Sequence, residues 1–116
     1  MKDVSLTPLK LAKLIAECAS DKKATEITVL DMRKVANFCD YFVICTGNTD
    51  RQVRAVALGI EEKCYELALR SPKKQGMNDS RWIVMDFGNV VVHIFEKFTR
   101  EFYGLDYLWQ DAKKVN

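Results

Sequence analysis

The chain has little of the chemistry that marks a metal protein or a disulfide-bonded protein. It contains one histidine and four cysteines, and none of the cysteines forms a Cys-x-x-Cys pair. A single histidine cannot complete a zinc site of two cysteines and two histidines, and no other zinc-ligand spacing occurs. We therefore expect no metal and no cofactor, and we expect the cysteines to be reduced and to pack as small buried hydrophobic groups.

The sequence also lacks a strong excess of charge and a long apolar run. Its formal net charge is +2 over 116 residues, which is too small to indicate nucleic-acid binding by itself. No apolar run approaches the ~18 residues that a membrane span needs, and the N-terminus has no apolar signal region. These features predict one soluble, cytoplasmic domain over residues 1–116 that makes no membrane contact.

The sequence also lacks the motifs that usually mark a catalytic site. Asp31, Asp40 and Asp86 are conceivable metal ligands, but no two aspartates have the D-x-D spacing that would suit two-metal phosphoryl transfer. The turn at Gly47 could hold a phosphate on the amides of the following helix, yet it is neither a G-x-G-x-x-G nor a Walker motif. His93 could act as a general base, but no orienting partner is evident. The sequence predicts that the protein is not an enzyme, with a nucleotidyltransferase-type, nucleotide-binding enzyme that uses the Gly47 turn as the alternative.

What the sequence does contain is a clear succession of periodic segments. Apolar spacing predicts the order helix, strand, strand, helix, hairpin, helix. Thr7 and Pro8 favour the start of the first helix, and Thr49 and Gln52 form a capping box for the longest one. The predicted strands before the hairpin cover 26–32 and 41–46, the second of them buried on both faces, and the longest helix covers 50–70.

The connections complete this prediction. Residues 72–80 are polar and form a loop with room for a short edge strand, and residues 111–116 are expected to be a frayed tail. Strand 41–46, helix 50–70 and strand 82–87 predict a βαβ crossover, while the hairpin adds an antiparallel pair. The predicted fold class is therefore α/β, a single domain with a mixed β-sheet flanked by helices.

The hairpin is the most informative segment of the chain. Two apolar strands meet at Gly88-Asn89, a pair that favours a tight two-residue turn. Across that turn one face is wholly apolar and should be core. The other face pairs Asp86 with Val91, Val84 with His93, and Trp82 with Phe95. Large aromatic groups with a few polar ones are typical of the centre of a protein interface.

The segment after the hairpin is also rich in aromatic residues. Thr99 could cap a short helix in which Phe102, Leu105, Leu108 and Trp109 recur at helical spacing and close the core. Tyr103 and Trp109 could instead join the hairpin in an exposed apolar patch. The sequence leaves both interpretations open, because not every face of so aromatic a segment can point inward.

Several blocks of the sequence resemble the ribosomal silencing factor family, also called the iojap-related family. The most specific blocks are Trp82-x-x-x-Asp86-Phe87-Gly88-x-Val90-Val91-Val92-His93-x-Phe95 and Thr99-Arg100-Glu101-Phe102-Tyr103 with Leu108-Trp109. Asp40-Tyr41-Phe42-Val43-Ile44-Cys45 and Thr46-Gly47-x-x-Asp50-Arg51-Gln52-Val53 also match, and the matches follow the same order along nearly the whole chain.

The resemblance implies a nucleotidyltransferase-like fold without that superfamily's catalytic residues. It implies binding to the large ribosomal subunit through ribosomal protein uL-fourteen, which sterically blocks subunit association and represses translation when nutrients are scarce. It also implies that a homodimer can form. Direct RNA binding is a further hypothesis, which would show as a steep salt dependence on naked RNA.

On this basis we predict which residues contact the partner. The predicted sheet surface consists of Trp82, Val84, Asp86, Val91, His93 and Phe95, extended by Glu101, Tyr103 and Trp109. Tyr41, Asp50 and Arg51 are weaker candidates, because they could instead fix the strand-to-helix turn. The chain departs from the family at Glu96-Lys97-Phe98, where a Leu-Pro-Glu-like link is usual, and this leaves the entry to the last helix less rigid.

Overall fold

The computed structural model describes residues 6–116, so the first five residues of the predicted domain lie outside the described residues. The helices are α1 (Pro8–Asp21), α2 (Asp50–Glu66), α3 (Lys97–Tyr103) and α4 (Leu105–Leu108). The strands are β1 (Thr25–Asp31), β2 (Tyr41–Gly47), β3 (Lys73–Gln75), β4 (Trp82–Asp86), β5 (Val90–Glu96) and β6 (Lys113–Lys114).

These strands form one mixed sheet, which confirms the predicted α/β class. The spatial order is β3-β4-β5-β2-β1-β6. The parallel pair is β2 with β5, while the neighbouring pairs are antiparallel. The sequence predicted that strand 82–87 would follow the crossover and lie beside strand 41–46. This prediction is wrong, because the strand that pairs in parallel with β2 is β5. The hairpin strand β4 lies one position further out.

Each face of the sheet has its own core. We call the first the helix-covered face: α1 and α2 pack there on fully buried residues such as Ile83, Met85 and Ile94. On the opposite side, which we call the second face, a smaller core joins Phe42, Phe95 and other residues of the sheet to Leu105 of α4. Because both faces are covered at its position, every residue of β2 is buried, as predicted.

The first turns of both long helices form as the sequence predicts. The Thr7 hydroxyl accepts a hydrogen bond from the Lys10 amide, and Pro8 occupies the first turn. The Thr49 hydroxyl accepts from the Gln52 amide at 3.1 Å. The reciprocal bond of the capping box differs, since the Gln52 side chain accepts from the amide of Asn48 rather than that of Thr49.

The end of α2 differs from the prediction of a helix through residue 70. The helix ends at Glu66, where the Leu69 amide donates to the Cys64 carbonyl at 2.8 Å and the Ala68 amide donates to the Tyr65 carbonyl. This pair of bonds defines a Schellman motif, which requires a left-handed residue between helix and loop. Ala68 takes that position with φ +56°, although glycine is the residue usually found there.

Replacing Ala68 by glycine is therefore expected to stabilise the protein. A left-handed conformation costs an L-residue about 1 kcal/mol, and glycine avoids that cost. Urea denaturation should show a free energy of unfolding about 1 kcal/mol higher for Ala68→Gly. The matched control is Ala55→Gly in the exposed interior of α2, which should lose about 0.5–1 kcal/mol. If both variants lose stability, Ala68 does not have the left-handed conformation.

The hairpin forms in the predicted register. Trp82 pairs with Phe95, Val84 with His93 and Asp86 with Val91. The two-residue turn is closed by the Phe87 amide, which donates to the Val90 carbonyl at 2.9 Å, and Gly88 has φ +91°. The face of the hairpin predicted as core is confirmed for Ile83, Met85, Val90, Val92 and Ile94, which are fully buried, while Phe87 beside the turn is half-buried against this core.

The segment after the hairpin corrects the prediction of one short helix capped by Thr99. Glu96 caps α3, because its carboxylate accepts from the amides of Phe98 and Thr99. Gly104 then adopts a left-handed conformation and separates α3 from α4. Leu105 at the start of α4 is buried, whereas Phe102 of α3 and Leu108 of α4 are 80% and 68% exposed. Of the two interpretations that the sequence left open, the core interpretation therefore fits Leu105 and the exposed-patch interpretation fits Tyr103.

The predicted frayed tail is also wrong. Lys113 and Lys114 form β6 at the edge of the sheet, beside Asp31 and Leu30 of β1. The side chain of Asn116 accepts from the Val29 amide at 3.0 Å and donates to the Ile27 carbonyl at 2.9 Å. The polar composition of residues 111–116 is compatible with an edge strand and with a frayed terminus. Only the pairing with β1 shows that the segment is a strand.

All four cysteines are free and buried, as predicted. Burial raises the pKa of Cys45 to about 12 and those of Cys39 and Cys64 to about 11. A thiol with so high a pKa stays protonated near neutral pH and is a poor nucleophile. Within residues 6–116, none of the helices combines the length and apolar content needed to cross a membrane.

Candidate partner-binding surface

Trp82 is the centre of the aromatic groups on the second face. Its ring stacks on Phe95 with centroids 4.8 Å apart and contacts Tyr103 at the same distance. Its indole Nε1–H donates to Nδ1 of His93 at 3.1 Å. Trp82 is only half-buried, so one side of the indole is fixed by neighbours while the rest can meet a partner.

His93 extends this packing across the sheet. Its ring lies 4.6 Å from that of Phe42, which in turn meets Trp109 edge-on at 6.0 Å. His93 is 7% exposed, and burial lowers its pKa to about 4 because desolvation penalises the charged imidazolium. Since Nδ1 accepts from Trp82, the neutral ring carries its proton on Nε2. No group of residues 6–116 pairs with that buried Nε2 atom.

The buried imidazole predicts a loss of stability in mild acid. In the unfolded chain the pKa of His93 returns to about 6.5, so between about pH 6.5 and pH 4 the unfolded state binds more protons. The free energy of unfolding should therefore be highest above this range and fall by up to about 3 kcal/mol as the pH drops through it. Denaturant titrations at several pH values would measure this slope.

His93→Gln is the control for this pH dependence. The variant should be less stable at neutral pH, but its free energy of unfolding should change much less between about pH 6.5 and pH 5. Carboxylates also titrate in acid, since hydrogen bonds lower the pKa of Glu96 and of Asp106. Because their losses come at lower pH, the difference between the two proteins isolates His93. Parallel pH profiles would contradict the assignment.

Three of the predicted contact residues are inside the protein. Phe95 is fully buried beneath Trp82, and His93 lies between Trp82 and Phe42. Tyr41, a weaker candidate, is 4% exposed on the helix-covered face, with the Arg33 guanidinium over its ring. Their predicted contact with a partner stays a prediction, but the burial of all three side chains favours a supporting role over direct contact. Alternation along a strand identifies the face of a residue but not what covers that face.

The other predicted hairpin residues remain reachable. Val84 and Val91 are half-buried and Asp86 is exposed on the second face. The Asp86 carboxylate accepts from the Gly88 amide at 2.7 Å, which supports the turn. Glu101 and Tyr103 are exposed, and Trp109 is half-buried against Phe42.

Arg100, which the sequence did not single out, fixes α3 and α4 to the sheet. Its guanidinium makes two hydrogen bonds of 2.8 and 2.9 Å to the Asp106 carboxylate. It also donates to the carbonyl of Glu26 at 2.6 Å and to the Thr46 hydroxyl at 2.8 Å. The side chain is only 11% exposed. These bonds connect four separate segments, and no local sequence spacing indicates such a contact.

The fixed helices present several large apolar side chains to solvent. Phe98 is 71%, Tyr107 76% and Tyr103 56% exposed, in addition to Phe102 and Leu108. Single exposed apolar residues are normal, but a group of this size on one short segment is typical of an interaction site. We call Trp82, Phe98, Phe102 and Tyr103 the aromatic surface. Sequence reasoning found Trp82 and Tyr103 and missed the two phenylalanines, which it assigned to the core or to the link.

The Gly47 turn has a structural explanation. A side chain on Gly47 would come within 2.9 Å of the backbone and side chain of Val53, so glycine permits the close packing of β2 against α2. The amides of Asn48, Gln52 and Val53 are bonded within the chain. Asp50 is exposed at the start of α2, where its charge suits the helix dipole and opposes a phosphate. Arg51 is exposed beside it.

These features define a single-domain α/β protein that carries a rigidly supported aromatic surface beside its sheet. Known proteins share this architecture. A crystal structure from Chromobacterium violaceum superposes with a TM-score of 0.87 at 28% identity, over 96% of this chain and 92% of that one. A crystal structure from Bacillus halodurans gives a TM-score of 0.82 at 33% identity, over 93% of this chain and 98% of the other.

Sequence comparison then identifies the family. The model described as "Ribosomal silencing factor during starvation" matches residues 5–116. The ribosomal silencing factor of Bacillus subtilis is 41% identical over 88% of this chain and 86% of its own length. The chloroplastic Iojap protein of Zea mays is 32% identical over 92% of this chain but only 46% of its own length. The chain belongs to the ribosomal silencing factor family, as its sequence motifs predicted, and the nucleotidyltransferase alternative is not favoured.

Proposed function

We propose that this protein binds the large ribosomal subunit through ribosomal protein uL-fourteen and sterically blocks its association with the small subunit. Translation would then fall when nutrients are scarce. The observation that carries the proposal is the aromatic surface, whose Trp82 is held by Phe95, His93 and Tyr103. Aromatic anchors that are fixed before binding lose little conformational entropy, and such residues dominate interface energetics.

The proposed mechanism needs affinity and bulk but no chemistry. A protein of 13.3 kDa that occupies the contact surface between the subunits excludes the other subunit from the same space. Val84, Asp86, Val91 and Glu101 would make contacts around the aromatic surface, and Trp109 would support it from the side. The protein would act in the cytoplasm, where ribosomes assemble and work, and would not function as an enzyme.

Co-sedimentation with purified large subunits tests the proposal. The protein should pellet with large subunits and not with small ones. Tyr103→Ala should weaken this binding at least tenfold, since an exposed aromatic anchor typically contributes more than 1.4 kcal/mol. Tyr65→Ala is the matched control, because Tyr65 is 85% exposed on α2 and lies outside the proposed surface. A wild-type protein that stays in the supernatant would refute the proposed function.

We also propose that the protein can form a homodimer, as the family resemblance implies. Analytical ultracentrifugation of the free protein, and of the protein released from large subunits, would establish its oligomeric state. A monomer in both samples would contradict this part of the proposal.

A further inference from the structure

A groove of about 810 Å³ is lined on one side by the aromatic surface and on the other by the start of α2 and the loop before β4. We call it the acidic groove. Its volume lies within the range of small-molecule and peptide pockets, so it has room for a chain segment with several side chains. The groove contains the aromatic surface and extends it to residues at the start of α2 and in the loop before β4, which the sequence analysis did not assign to the sheet surface of the hairpin.

The charges of the groove have one predominant sign. Asp50, Asp79 and Glu96 line it, and Arg81 is its only cationic residue among the described lining. Arg81 already lies 3.5 Å from the Asp79 carboxylate. Hydrogen bonds from Phe98 and Thr99 lower the pKa of Glu96, so its carboxylate is charged near neutral pH. The groove is therefore net negative, although the whole chain is net positive.

One wall of the groove is aromatic. Phe98 and Phe102 are four residues apart on α3 and therefore project from the same side of the helix. Tyr103 completes the wall, with its ring perpendicular to that of Phe102 at 5.1 Å. The faces of aromatic rings attract cations, and their edges and faces accommodate the aliphatic stems of lysine and arginine. Carboxylates opposite an aromatic wall thus select a positively charged side chain with an apolar stem.

We propose that the acidic groove receives a lysine- or arginine-bearing segment of the protein to which the aromatic surface binds. The inference rests on the proposed function, because the partner is taken to be a protein of the large subunit. Charge complementarity argues for a protein segment and against RNA, since Asp50 and Asp79 would repel a phosphate backbone. Arginine and lysine supply the opposite charge and the stem that the aromatic wall fits.

The test measures affinity for purified large subunits at two salt concentrations. Asp50→Asn with Asp79→Asn removes two negative charges without changing side-chain size, and should weaken binding about tenfold at low salt. The variant should also show a smaller loss of affinity on adding salt, because fewer charge contacts remain to be screened. Phe102→Ala should weaken binding by a similar factor at both salt concentrations.

A matched control variant distinguishes a failure of the groove inference from a failure of the proposed function. Glu17→Gln with Glu62→Gln removes two exposed acids from α1 and α2 and should bind as the wild type does. If the wild type binds but the aspartate variant binds equally well, the groove inference is wrong while the proposed function stands. Tighter binding of the aspartate variant would show that phosphate lies in the groove, and would also overturn the inference. If the wild type does not bind, both proposals fail.

Discussion

Phe95→Ala is expected to destabilise the protein by about 3–5 kcal/mol, the usual cost of emptying a fully buried aromatic site. Phe95 is fully buried in the second-face core and stacks beneath Trp82. Losing its ring would leave a cavity and remove the support of the aromatic surface. Since a typical domain has only 5–15 kcal/mol of net stability, the variant should unfold at much lower urea concentration. Chemical denaturation monitored by tryptophan fluorescence would measure the change.

Phe102→Ala is the matched control, because it removes the same side chain from a site that is 80% exposed. Its free energy of unfolding should stay within about 0.5 kcal/mol of the wild type. The two variants together test whether Phe95 supports the aromatic surface from inside the protein while Phe102 contacts the partner. Phe95→Ala should mainly reduce stability, and Phe102→Ala should mainly reduce binding. Equal effects of the two variants on stability would mean that Phe102 is packed inside the protein and not exposed on α3.

Arg100→Leu is expected to destabilise the protein by about 2–4 kcal/mol. The substitution leaves the Glu26 carbonyl and the Thr46 hydroxyl without their donor and Asp106 without its cation, and each lost partner of a partly buried polar group is costly. Because Arg100 joins α3 and α4 to the sheet, the exposed rings of α3 should also lose their fixed positions. Binding to large subunits should therefore weaken more than the loss of stability alone explains.

Two further variants give the Arg100 prediction a control. Arg100→Lys keeps the charge but cannot make the forked pair of bonds to Asp106, so it should recover only part of the stability. Arg33→Leu also removes a forked arginine–aspartate pair, but the Arg33 side chain is 60% exposed. Exposed ion pairs contribute little, so this variant should be much closer to the wild type. Equal losses for Arg100→Leu and Arg33→Leu would refute the role given to Arg100.

The elements that local rules govern were predictable from the sequence. The Thr7-Pro8 start, the Thr49 cap and the Gly88-Asn89 turn each satisfy backbone groups within a few residues. The continuous apolar run of β2 indicated a strand covered on both faces, because no polar side chain could face water there. In each case the sequence signal and the physical cause involve the same few residues.

The misses involve residues that are far apart in the chain or in an unusual conformation. The tail forms β6 because Asn116 meets strand β1 across 87 residues, a pairing that no local pattern indicates. α2 ends early at Glu66 because Ala68 adopts a left-handed conformation that is rare for a residue other than glycine. At Glu96 a signal was available: a carboxylate three residues before Thr99 can cap a helix, although aspartate, serine and threonine are commoner.

The candidate surface was predictable by face but not by exposure. Alternation placed Trp82, His93 and Phe95 on the same side of the hairpin correctly. It could not indicate that Trp82 covers Phe95, because that depends on the size and direction of one indole ring. Phe102 was missed for the converse reason, because helical spacing suggested core while the side chain is exposed, and Phe98 was missed because it was assigned to the link before the helix.

The most direct test of the central claim is subunit joining. Purified small and large subunits are mixed after the large subunits have been incubated with the protein, and joined ribosomes are then separated by sucrose-gradient sedimentation. We predict that the wild type and Tyr65→Ala reduce the joined fraction in a dose-dependent way, whereas folded Tyr103→Ala leaves most subunits able to join. If the wild type binds large subunits and the joined fraction is unchanged, the protein does not act by blocking subunit association.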